Sequence, residues 1–226
     1  MDHVTIDRTV LPPEEHAAAQ TVEMNLIHLH TAATEFRHTV ELYLFAHDRK
    51  LATPDDSCRM IAWINIAGRN GSIVAYGIHM VMQAINSVNA PTLRKMVDMN
   101  ERSQGTKFFA AEFPNIAGIR TSAAHPGELS ATQTQLDKHH LKETMVSGLG
   151  VFGAGSYVSG GMVAGDDHLI YSASFEGKPV EYELSVRKAD VLEKIAQHYS
   201  RAFHPLRARG PAIGALQDAR LSRPAG

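Results

Sequence analysis

From Glu14 to Lys50 the chain has neither glycine nor proline, and its apolar positions recur at alternating steps of four and three. Val22, Leu26, Leu29, Ala33, Phe36, Val40 and Tyr43 make up this stripe, the spacing of a helix that buries one face against its neighbours. Pro12-Pro13 followed by Glu14-Glu15 supplies its start, since a first-turn proline loses no hydrogen bond and acidic side chains suit the positive end of the helix dipole. A second long helix is expected from the capping stretch Thr53-Pro54-Asp55-Asp56-Ser57 to about Asn89. It carries two stripes. One is Ile64, Ala67, Gly71, Val74, Ile78, Val81, Ile85 and Val88; the other is Ile61, Asn65, Gly68, Ser72, Ala75, His79 and Met82. Together they cover a wide arc, which predicts a central place in a bundle. Gly68, Gly71 and Ser72 weaken helix propensity, a glycine by ~1 kcal/mol. The expected return is close approach of a neighbouring helix, or else a kink near Gly71.

Pro91 opens a third helix that runs to Arg102 or on to Glu112, and Pro114 restarts a fourth over Asn115 to His125. Leu129 to Val146 reads as a polar helix. Residues 147–166 are rich in glycine, with seven between Ser147 and Gly165, and read as a mobile loop. The period then switches to two: His168–Phe175 and Pro179–Ser185 flank Glu176-Gly177-Lys178 and predict a β-hairpin over 168–185. A last helix spans Arg187 to Phe203, with Val191, Leu192, Ile195, His198, Tyr199 and Ala202 on one side. Residues 206–226 read as a flexible tail. The expected architecture is mainly α: one domain over 1–205, a bundle of long antiparallel helices with a small β-hairpin before the C-terminal helix.

Composition narrows the function classes. Hydrophobic residues at 44% and charged residues at 20% suit a chain that buries a core. A net charge of −2 gives no global electrostatic support for nucleic-acid binding, so such binding must rest on a local site. The single cysteine, Cys58, excludes an internal disulfide and a cysteine-based zinc site. Met1–Arg8 has no apolar run of the secretory kind and no stretch is long enough to span a bilayer, so a cytoplasmic, non-membrane protein is expected.

Thirteen histidines make metal binding worth testing. His28 and His30 diverge by about 200° on a helix and His139 and His140 by about 100°, so neither pair shares a face. His79, on the small-residue stripe, reads as a core histidine. Asp166-Asp167-His168 could contribute a metal ligand, but no metal-binding spacing is present and none is assigned. Gly148-Leu149-Gly150-Val151-Phe152-Gly153 fits G-x-G-x-x-G. It lacks the preceding buried strand and following helix that a dinucleotide site needs, and no cofactor is expected.

The segment Ile119-Arg120-Thr121-Ser122-Ala123-Ala124-His125-Pro126 carries the most chemistry. In a continuous helix Arg120 and His125 would stand ~140° and ~7.5 Å apart. Pro126 disfavours the helical region for His125 and frees its side chain from that geometry. Arginine grips phosphate oxygens in a bidentate fork and histidine moves protons, so the pair suits an anion site with acid–base chemistry.

This R-x4-H pattern after an apolar helix, in a chain of long helices, resembles the HEPN superfamily. Trp63-Ile64-Asn65-Ile66-Ala67-Gly68-Arg69 and the late hairpin plus helix agree with it loosely. The resemblance implies a metal-independent endoribonuclease of toxin or anti-phage type, dimeric, with two motifs facing each other across a cleft. It implies RNA as substrate and an antitoxin or other protein as partner. Arg120 would bind phosphate and His125 act as acid and base, the 2′-hydroxyl attacking its phosphate to leave a cyclic phosphate. Thr121 stands where active members commonly carry Asn, Asp or His. Two alternatives are a non-catalytic helical scaffold or binding protein, and a histidine-rich metal-binding bundle.

Overall fold

The computed structural model describes residues 4–52, 56–125, 128–129, 131–142, 144–146, 148–158 and 160–207. Helices α1 (His16–Ala52) and α2 (Ser57–Ser87) form a long hairpin. All seven residues of the predicted α1 stripe are buried, none more than 2% exposed. A 3-10 turn, Pro13–Glu15, precedes α1. Its Glu15 carboxylate accepts the backbone N–H groups of Thr92 and Leu93 at 2.9 Å each, capping α3 (Pro91–Met96). Burial pushes this carboxyl up, but those N–H bonds outweigh it and hold the group below its ordinary value.

The expected third helix is two. Asp98 accepts the N–H groups of Asn100 and Glu101 and starts α4 (Met99–Glu112) afresh. Then come α5 (Ile116–Ala124), α6 (Gln133–His139) and α7 (Val186–Ala202). Helix α7 packs on α1 and α4, while α5 packs on α2. The helical bundle is therefore as the sequence predicts.

The β-structure is larger than a hairpin. Strands β1 (Thr144–Val146) and β2 (Gly150–Phe152) pair antiparallel. Strands β3 (Gly161–Ala164), β4 (His168–Phe175) and β5 (Lys178–Ser185) make a three-stranded antiparallel sheet. The predicted hairpin is β4–β5, and its inward row pairs Leu169 with Leu184, Tyr171 with Tyr182 and Ala173 with Val180, all buried. Two expectations are corrected. Leu129–Val146 is not one helix, because α6 ends at His139 and β1 follows. Residues 147–166 are not simply a loop, because β2 and β3 lie within them.

The partner of the α2 glycines also differs from expectation. A β-carbon on Gly71 would lie 2.7 Å from the Tyr182 hydroxyl oxygen and 2.8 Å from Leu184 Cδ1; one on Gly68 would meet Leu169 at 3.1 Å. The sheet, not a helix, makes the close approach, and the Tyr182 hydroxyl donates to the Gly68 carbonyl. Nor is α2 buried all round: Ile61, Ile66, Ile73 and Met80 are exposed.

At the far end, Leu206 is buried, Arg207 bridges to Ile6 and the Asp7 N–H donates to the Leu206 carbonyl at 2.7 Å. The first residues of the expected tail are thus docked; 208–226 lie outside the described residues. Among the described residues no helix is long and apolar enough to cross a membrane.

Candidate functional site

Arg120, Thr121 and His125 all belong to α5 and its C-terminal cap. The chain enters α5 through Phe113-Pro114-Asn115, where Asn115 takes a left-handed conformation (φ 60°) and its carbonyl accepts from Gly118 and Ile119. Ile116, Gly118, Ile119, Ser122 and Ala123 form the buried face. Gly118 permits tight contact with the sheet, since a β-carbon there would lie 2.8 Å from the Phe175 ring. Just before α5, Lys188 of α7 donates to the Glu112 carbonyl at 2.6 Å and to its carboxylate at 2.7 Å. That bond, helped by Arg187, holds the Glu112 carboxyl below its ordinary value despite burial.

On its outer side α5 presents Arg120, whose guanidinium carbon stands 5.5 Å from the centre of the Tyr76 ring on α2. Among the described residues no carboxylate lies within ion-pair distance of it. Cation–π contact orients the guanidinium without neutralising it. Thr121 donates its hydroxyl proton to the Ala117 carbonyl at 2.9 Å, so that proton serves the helix.

His125 leaves the helical region (φ −131°, ψ 48°) while its N–H still donates to the Thr121 carbonyl at 3.0 Å. The predicted break therefore falls at His125; Pro126, which motivated it, lies outside the described residues. The imidazole is 39% exposed and its Nδ1 stands 3.1 Å from Glu128 Oε1. A carboxylate only accepts, so Nδ1 is the donor in this contact and Nε2 is the ring nitrogen that it leaves unengaged.

Two of these contributors escaped the sequence reading. Glu128 was visible as a carboxylate three residues after the histidine. Tyr76 carried no signal, because its contact depends on how α2 and α5 pack.

The other histidines singled out in the sequence do not form one site among the described residues. His28 is exposed, and His30 bonds Ser200 across the α1–α7 seam at 2.7 Å. His79 stacks on Phe109, 5.6 Å between centres, and bonds Gln83. His168 pairs with Asp167 at 2.7 Å. His139 is buried and accepts the Glu176 N–H at 3.0 Å, with burial first and Lys138 second lowering its proton affinity. Among the described residues no group of three or more His, Cys, Asp or Glu side chains is placed to hold a metal ion. A short strand, β1, does precede the G-x-G-x-x-G segment, but the segment runs through the turn into β2 and on towards β3 and leads into no helix, which is not the phosphate-binding arrangement.

Compared with known proteins, the chain matches no family model, no curated sequence and no solved structure.

Proposed function

We propose that this protein is a HEPN-like, metal-independent endoribonuclease of the cytoplasm, with Arg120 and His125 as its working pair. The observation that carries the reading is a guanidinium with no carboxylate in ion-pair distance among the described residues, five residues before a histidine whose Nδ1 is engaged by Glu128. In this reading Arg120 grips the scissile phosphate. His125 Nε2 takes the proton from the ribose 2′-hydroxyl, and the 2′-oxygen forms a bond to phosphorus. The bond to the 5′-oxygen breaks, and that oxygen receives a proton from imidazolium, leaving a 2′,3′-cyclic phosphate and a 5′-hydroxyl. Glu128 fixes the tautomer, a positioning role.

A homodimer would supply two such motifs to one cleft. Ile66, Ile73 and Met80 on α2, spaced by seven and 55%, 44% and 45% exposed, offer a seam for a second copy. Such a dimer should bury on the order of 1,000 Å² or more.

The test is RNA cleavage in the presence of EDTA, with thermal melting followed alongside. His125→Ala should cut the rate by ~10²–10⁴-fold with the fold intact. Arg120→Ala should do the same, and Arg120→Lys should rescue poorly, because an ammonium lacks the bidentate fork. Glu128→Gln should lower the rate less. Cleavage that survives His125→Ala would overturn the assignment. Absence of cleavage by the wild type would favour a non-catalytic binding module, a role that the contact of Arg120 with Tyr76 and the helix-bound Thr121 hydroxyl would also serve.

A further inference from the structure

The α1–α7 seam opens into a cleft of about 440 Å³ that the proposed reaction does not use. Its α7 wall is built from Glu193, Gln197, Ser200 and Arg201, with His204 just beyond the helix; α1 contributes His30 and Thr34. Ala33, buried at the floor, leaves the space that a larger side chain would fill. The volume lies in the range of small-molecule sites.

The charges of this cleft are unevenly matched. Glu193, the one carboxylate among the described lining residues, is already held by Arg37 Nε at 2.5 Å, and Arg37 also binds Asp190 at 2.6 Å. Arg201 has no carboxylate within ion-pair distance among the described residues. The Ser200 hydroxyl is fixed 2.7 Å from His30 Nε2. Arg201, Ser200, His204 and the Gln197 amide are thus hydrogen-bonding groups around one opening, and Arg201 is a cation with no ion-pair partner among the described residues. The negative end of the α7 dipole works against an anion here. It is blunted locally, because the Phe203 N–H takes up the Ser200 and Arg201 carbonyls.

We propose that this cleft binds a small phosphate monoester, of nucleotide or sugar-phosphate size, with Arg201 gripping the phosphate and Ser200 and His204 completing its hydrogen bonds. A planar guanidinium suits phosphate oxygens in a fork, and the fixed hydroxyl adds a second direction of contact. The site is independent of the ribonuclease reading and lies on different helices from Arg120.

The experiment is calorimetric titration of the full chain with inorganic phosphate, with adenosine 5′-monophosphate and with glucose 6-phosphate, using adenosine and glucose as uncharged controls. All three phosphates should bind saturably, at micromolar to low-millimolar levels, and the controls should not. A preference for the nucleotide or for the sugar phosphate would identify which class the cleft serves. Arg201→Gln, an exposed position, should weaken binding about ten- to hundredfold, the loss of one charge-assisted contact. Ser200→Ala should weaken it several-fold, and Arg120→Ala should leave it unchanged. Equal affinity of wild type and Arg201→Gln, loss of binding in Arg120→Ala alone, or no saturable phosphate binding at all would overturn the proposal. Should Ser200→Ala fail to fold, the Arg201→Gln arm still decides.

Discussion

The α1–α2 hairpin and the stretch from Leu141 to Val158 belong to one chain but are held by different amounts of core. The hairpin buries an unbroken stripe from Val22 to Tyr43 and shares one hydrophobic cluster with α5, α7 and the three-stranded sheet. The stretch around β1 and β2 rests on a separate cluster of Leu141, Val146 and Val158, with Leu149 and Phe152 packed against it. Each of its strands has three residues, and Met145 and Val151 point outward, about two-thirds exposed. A region with so little buried area opens locally at a cost well below that of global unfolding. The α1–α2 hairpin is thus the frame, and the β1–β2 stretch should open locally while that frame stands.

Gly71 offers the strongest way to strain the frame. With 2.7–2.8 Å between a β-carbon there and Tyr182 and Leu184, Gly71→Val should cost about 2–3 kcal/mol and shift the whole urea unfolding curve. An unshifted midpoint would mean that sheet and helix are less tightly joined than the contacts require. The corresponding change in the small cluster is Val146→Ala. It should cost about 1–1.5 kcal/mol locally, making amide exchange over 144–152 roughly five- to tenfold faster. The global midpoint should barely move; if it falls in step, the two clusters unfold as one.

The gentlest probe is pH, acting through His139 at the junction of α6 with the β4–β5 turn. Its Nδ1 accepts the Glu176 N–H and so must be unprotonated, and burial lowers its affinity for a proton. Below the ordinary histidine value of about 6.5 the unfolded chain takes up a proton that the folded chain resists. Stability from this contact should be complete above that value and decline as pH falls. Amide exchange at Glu176, measured between about pH 7 and 5 and corrected for intrinsic rates, should show protection falling with acid. His139→Gln should flatten that dependence.

The same contrast explains what could be read from the sequence. The α1 stripe was legible because a long period-3.6 pattern has one burial solution. The β4–β5 hairpin was legible because alternation and a Glu-Gly turn agree. β1, β2 and β3 were not, because runs of three or four residues carry no usable period and pairing at that length is decided by distant partners. Gly68 and Gly71 announced a close neighbour but could not say whether it was a helix or a sheet. At the candidate site, Arg120 and His125 were visible as a motif and Glu128 as a nearby carboxylate. Tyr76 was set by the packing of two helices and left no trace in local spacing. Asp98, three residues before Glu101, held the cap that divides α3 from α4, but the following run looked helical enough to hide it.

The antiparallel bridge between Ile6 and Arg207 bears on how the molecule is made. A ribosome adds about 5–20 residues per second, so roughly 10–40 s separate the emergence of these two partners. Helix α1 leaves the exit tunnel long before translation reaches α7, whose surface covers part of the α1 apolar stripe. During that interval the nascent chain exposes a greasy ridge that only later residues can close. A chaperone holding α1 should therefore raise the yield of soluble protein, and slowing translation of the stretch between α1 and α7 should lower it.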